Sequence, residues 1–122
     1  MTFFSRRQFL GFMLAMLFYV PTGFAATIGN AVPVVGQVVD IVHDPARNLV
    51  YLANPTRNQV DIYSVDLRRL TGSIPAGIQP ASLALSIDGN TLFVANVGSN
   101  TINVVNLNTL RVTSDFNRSR RV

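Results

Sequence analysis

The sequence predicts an all-β chain: two four-stranded antiparallel blades of an incomplete β-propeller, behind an N-terminal signal helix. Three observations carry that prediction. First, residues 49–54 (Leu-Val-Tyr-Leu-Ala-Asn) return at 91–96 as Thr-Leu-Phe-Val-Ala-Asn, and residues 58–63 return at 100–105, an offset of 42 without a gap. Pro33/Pro75, Gln37/Gln79, Asn48/Asn90, Ala53/Ala95, Asn54/Asn96, Asn58/Asn100, Arg69/Arg111 and Thr71/Thr113 are identical pairs at that offset. A period of about 40–45 residues built from short strands is that of a propeller blade. Second, past the first 25 residues, runs rich in Val, Ile, Leu and Tyr alternate with clusters of Asn, Asp, Gly and Pro, and no helical period appears. Third, the middle strands at 50–53 and 92–95 are apolar at successive positions, as in a sheet covered on both faces.

Residues 1–25 read as an export signal. Arg6 and Arg7 precede an apolar run at 9–20, which has the length of a secretory h-region and is short for a membrane span. Gly23 and Ala25 put small residues at the −3 and −1 positions of a cleavage site after Ala25. Pro21 and Gly23 break the helix there, which favours cleavage over anchoring, so no stable membrane span is expected afterwards. The stretch Ser5, Arg6, Arg7, Gln8, Phe9, Leu10 resembles the bacterial twin-arginine signal, with Gly11 where lysine is common. That resemblance implies recognition by the export machinery and delivery of a folded protein to the periplasm or beyond the cell.

Residues 26–116 hold the two repeats, about 32–74 and 75–116, and 117–122 form a basic tail. The segment 31–36 aligns with 73–78, which leaves the fourth strand of a blade and crosses to the next. The exported part is therefore expected to open on the fourth strand of a blade whose other strands come from elsewhere. Strands follow at 38–43, 49–53, 59–64 and 70–74, then at 82–86, 91–96, 101–106 and 110–114. Asp88 and Gly89 make a hairpin turn, because glycine takes positive φ at little cost. Gly98 and Asn100 shape the next turn, and Pro45 and Asn48 replace Asp-Gly in the first repeat. Asn54 and Asn96 are expected to bond backbone in the turns that follow them, with Asn58 and Asn100 closing those turns. Ala53 and Ala95 are expected to be small where strands converge, and Arg69 and Arg111 to repeat one structural contact.

All ten basic residues are arginine, all six acids are aspartate, and cysteine and tryptophan are absent. Without cysteine no disulfide framework holds an exported chain together, so packing and ladder hydrogen bonds must. The net charge of +4 comes from the ends: Arg6 and Arg7 in the signal, Arg118, Arg120 and Arg121 in the tail. The repeats between them are near neutral, which argues against a nucleic-acid partner.

Chemistry-bearing residues are sparse. His43, the one histidine, stands beside Asp44, but no further Cys or His completes a structural metal site. Its counterpart one repeat later is Leu85, so a strand-end position without catalytic duty is expected. Asp40, Asp44, Asp61, Asp66 and Asp88 are spread over turns and strand edges, and no phosphate loop or GxGxxG is present. Phe3, Phe4, Phe9, Phe12 and Phe18 belong to the signal. No catalytic, cofactor-binding or metal-binding residue is assigned, and cofactor and ligand stay unknown. The residues singled out within the repeats, Asn54, Asn96, Asn58, Asn100, Asp88 and Gly89, are read as structural.

Two blades leave two broad apolar faces uncovered, and fewer than three repeats seldom bury a continuous core. The expectation is an N-terminal fragment of a longer propeller, or self-association through the open faces.

The second repeat, residues 84–106, resembles the YVTN-type β-propeller repeat, which has a Ser-Pro-Asp-Gly turn, a Tyr-Val-Thr-Asn strand, then Gly-Ser-Asn-Thr-Val. Residues 93–96 (Phe-Val-Ala-Asn) and 51–54 (Tyr-Leu-Ala-Asn) stand where the name motif stands. Ile87 replaces proline, Phe93 tyrosine and Ala95 threonine. The resemblance implies an exported bacterial propeller akin to surface-layer-like proteins and to lactonase propellers. The expected function is a binding or scaffold module with an unknown ligand or protein partner. The alternative is the N-terminal part of a periplasmic propeller enzyme, a lactonase-like hydrolase or a redox-associated protein.

Overall fold

The computed structural model describes residues 29–117. The expected signal helix, with Ser5, Arg6, Arg7, Phe9, Leu10 and Ala25, and the arginines of the tail lie outside the described residues. All eight strands fall in one unit that begins at Val34. They are β1 (Asp40–Asp44), β2 (Leu49–Asn54), β3 (Gln59–Ser64), β4 (Arg69–Pro75), β5 (Pro80–Leu85), β6 (Thr91–Asn96), β7 (Thr101–Asn106) and β8 (Arg111–Asn117). Two four-stranded antiparallel sheets result, in the orders β1-β2-β3-β4 and β5-β6-β7-β8. These are incomplete all-β propeller blades, one per repeat.

Local chemistry explains the sharp connections. In the turn after β1, the Asp44 carboxylate accepts from the Arg47 amide; after β2, Asn54 Oδ1 accepts from the Arg57 amide. After β3, Ser64 Oγ accepts from the Leu67 amide, and after β7, Asn106 Oδ1 accepts from the Asn108 and Thr109 amides. A short polar side chain at the turn's first residue thus stands in for a backbone partner. The fifth residue of each such turn enters the left-handed region: Asn48 at φ 55°, Asn58 at 53°, Arg68 at 56° and Leu110 at 58°, with Asn100 at 57° in the matching turn after β6. Asparagine visits that region readily, arginine and leucine do not.

Alternation along the strands gives each sheet two faces. One face of the first sheet carries Val42, Tyr51, Ala53, Val60, Ile62 and Ile74, which the register sets side by side. One face of the second carries Leu83, Leu85, Leu92, Val94 and Val105. These residues, with Leu107, form a single apolar cluster, so the two faces close on each other. The first strands approach closely, β1 and β2 packing on β5, whereas β4 and β8 barely touch. The sheets therefore converge at their first strands and splay at their fourth. Ala53, fully buried, lies beside Asp40 of β1 on the converging side.

Three expectations change. Residues 31–36 form no strand; they run as irregular backbone. A strand needs a partner for its amides, and no described strand pairs there. Instead the Val35 carbonyl accepts from Asn54 Nδ2, and the Gln37 amide donates to Thr56 Oγ1. Asn117, assigned to the tail, ends β8 opposite Thr101. Arg69 and Arg111 repeat a register position, pairing with Ser64 and Asn106 at the start of the fourth strand, but both side chains are exposed, and the ion pair found among the described residues is that of Arg47.

Candidate functional site

Two polar clusters and two open sheet faces are the features available for function. The first cluster sits at the β1–β2 end. Asp44 is fully buried and accepts from the Tyr51 hydroxyl at 2.9 Å and from Arg47 Nη1 at 3.0 Å. Arg47 continues across to the second sheet, donating to the Gly89 carbonyl at 2.8 Å, to Asn90 Oδ1 at 3.2 Å and to Asn108 Oδ1 at 2.6 Å. Burial first, then the hydrogen bond to Asp44, pushes the Tyr51 hydroxyl above its ordinary range, so it stays a donor. A second link between the sheets is the Asp40 carboxylate, which accepts from the Leu83 amide at 2.7 Å. These bonds make the cluster a clamp between the two sheets.

The second cluster gathers at the other end of the strands. Asn54 Nδ2 donates to Asp61 Oδ2 at 2.8 Å. In the second sheet Asn96 Nδ2 donates to Asn103 Oδ1 at 2.8 Å, and both side-chain oxygens accept from the Gly77 amide. The Ile78 amide donates to Ser99 Oγ, and Asn58 Oδ1 accepts from the Gln79 amide. The crossover from β4 to β5 is held by these bonds. No buried side-chain nitrogen or oxygen among the described residues lacks a partner.

The repeat residues read from the sequence are placed as follows. Asn54 bonds the turn that follows it and reaches back to the Val35 carbonyl, and Asn96 likewise reaches back to the Gly77 amide and forward to Thr101. Asn58 and Asn100 take the left-handed position of their turns. Asp88 accepts from the Ser86 hydroxyl and the Asn90 amide, in that order of influence, and both hold its carboxyl below the usual range. Gly89, at φ 75°, donates its amide to the Ser86 carbonyl and offers its own carbonyl to Arg47. His43 is exposed and lies on the face of the first sheet turned away from the core. No group of three His, Asp or Glu side chains among the described residues is gathered as a metal would need. Sequence reasoning missed Arg47 and Tyr51. The available signal was an aspartate with arginine three residues on, in the turn where the second repeat has only Asp-Gly.

Beside exposed polar residues such as His43, Asp66 and Arg69, the open surface includes apolar sheet faces. The outer face of the second sheet carries Ala84, Phe93, Ala95, Ile102, Val104 and Phe116. Phe93 is 40 %, Ile102 43 % and Phe116 63 % exposed. A groove lined by Ala84, Leu85, Ser86, Ile87, Phe93 and the polar Asp88 and Thr91 opens at its edge. The outer face of the first sheet carries Ile41, 61 % exposed, and His43, also exposed, with Val50 and Tyr63 half-buried and Leu52 and Asp61 buried.

Solved structures share this fold. Hydrazine synthase of Kuenenia stuttgartiensis matches with a TM-score of 0.64 at 19% identity, over 75% of this chain and 26% of that one. The Cps50 (Swd1) β-propeller domain of Myceliophteria thermophila matches at 0.63 and 13%, over 74% and 28%. Apo AztD from Citrobacter koseri matches at 0.61 and 17%, over 70% and 25%. The chain spans about a quarter of the length of these solved chains. No family model and no curated protein matches the sequence.

Proposed function

We propose that this protein is an exported β-propeller module of the YVTN type that binds or scaffolds and does not catalyse. The observation that carries the reading is the use of its polar side chains. Asp44, Asn54, Asp61, Ser64, Asn96 and Asn103 are buried, and each is engaged in a turn, a crossover or the clamp between sheets. The surface left over for a partner includes apolar sheet faces, which suit a protein partner better than a reacting small molecule. The paired Arg6 and Arg7 support export. They also favour the rival reading, the N-terminal part of a periplasmic propeller enzyme, since a route for folded proteins suits cofactor carriers.

Two measurements decide. Cell fractionation of the Arg6→Lys, Arg7→Lys double variant should leave the protein in the cytoplasm; unchanged export sinks the twin-arginine route. Assay of the purified chain for bound metal and for sugar-lactone opening should give neither. Lactone opening that disappears in His43→Ala would overturn the binding reading.

A further inference from the structure

The joint between the two sheets is directional, and the repeat makes that direction informative. Its first-sheet half is Tyr51, Ala53, Val60, Ile62 and Ile74, none more than 3% exposed. Moved one repeat along the chain, these positions become Phe93, Ala95, Ile102, Val104 and Phe116, the open outer face of the second sheet. Its second-sheet half includes Leu83, Leu92, Val94 and Val105, all buried. Moved one repeat back, these become Ile41, Val50, Leu52 and Tyr63, the outer face of the first sheet. One molecule therefore carries, on its two outer sheet faces, both halves of the contact it already makes inside itself; the second-sheet half is open, and on the first-sheet half Ile41 is exposed, Val50 and Tyr63 are half-buried and Leu52 is buried.

We infer that a second copy of this chain docks its outer first-sheet face on the outer second-sheet face, head to tail, extending the internal joint from molecule to molecule. The side chains support this. Tyr becomes Phe, Ala stays Ala, Val and Ile exchange, Leu becomes Ile or Val, and Val94 becomes Leu, while Ile74 and Val105 become the aromatic Phe116 and Tyr63, so every position stays hydrophobic and two of the nine gain a ring. Ser82, Ala84 and Ser114 complete the open second-sheet face, and none of them brings a charge against docking. Three large side chains there are about half exposed, an arrangement that a soluble monomer rarely tolerates over a contiguous patch. The contact is heterologous, so repeated addition gives a ring where the rotation closes. Closure at about four to eight blades corresponds to two, three or four copies.

The test is size-exclusion chromatography with light scattering on the full chain and on two variants, Phe116→Asp and Ile41→Asp. Both side chains are exposed within one molecule, and circular dichroism checks that each variant keeps its sheets. A milder pair, Phe116→Ser and Ile41→Thr, serves if either aspartate variant loses its fold. The wild type should run as a discrete oligomer of two to four copies. Each variant alone should run as a monomer, because one half of every joint is spoiled. An equimolar mixture of the two should form a one-to-one complex, since the intact second-sheet face of one meets the intact first-sheet face of the other. A monomeric wild type, variants that stay associated, or a mixture that forms no complex would each overturn the inference.

Discussion

At the scale of single residues, the Asp44–Tyr51–Arg47 group is the most consequential. Tyr51→Phe keeps the ring and removes one donor from a buried carboxylate, at a cost of about 1–2 kcal/mol by urea unfolding near pH 7. The sign with pH follows from the raised hydroxyl. The unfolded chain loses this proton near pH 10 and the folded chain keeps it to higher pH. Its stabilising contribution is thus fully present below about pH 10 and is lost as pH rises beyond it. Unfolding curves from pH 8 to 11 should show an alkaline decline in the wild type that is shallower in Tyr51→Phe. Leu110 gives the opposite kind of prediction. It sits at φ 58° in a position that Asn48, Asn58 and Asn100 occupy in sister turns. Leu110→Asn should relieve about 1 kcal/mol of backbone strain and raise Tm by roughly 4–8 °C in a domain this small, read by a thermal melt.

At the scale of elements, the crossover from β4 to β5 sets how the second sheet meets the first. A Cβ on Gly77 would lie 2.7 Å from Ser99 Oγ and 2.9 Å from Asn96 Cγ, whereas one on Gly72 would meet nothing within 4 Å. Gly77→Ala should cost about 1–3 kcal/mol through forced displacement, and Gly72→Ala far less, by chemical denaturation of both. The elements were also the most legible part of the sequence. The strands at 59–64, 91–96 and 101–106 lie where turn residues and apolar runs place them. Strand ends were harder, because they depend on partners: β8 runs on to Asn117 since Phe116 finds Ile102 and Asn117 finds Thr101. The segment 31–36 went the other way for the same reason. The polar clamp was not legible, because Arg47 meets Gly89 and Asn108 only after the turn brings distant parts of the chain together.

At the scale of the whole molecule, one apolar cluster joins both sheets, so neither has a core of its own. Hydrogen exchange should therefore give the amides of β2 and β6 the same opening free energy, measured residue by residue, as in a two-state domain. Independent protection of the two sheets would contradict a shared core. The clamp has a further consequence. Arg47 is replaced by Gly89 one repeat on, and Asp40 by Ser82, so two polar bolts of the inner joint have no counterpart on the outward face, while the Asn58–Gln79 link recurs there as Asn100 and Gln37. A contact made there has fewer polar links than the seam within. Dilution or mild denaturant should part neighbours from each other well before a single chain comes undone, leaving intact two-sheet units as the first product of disassembly.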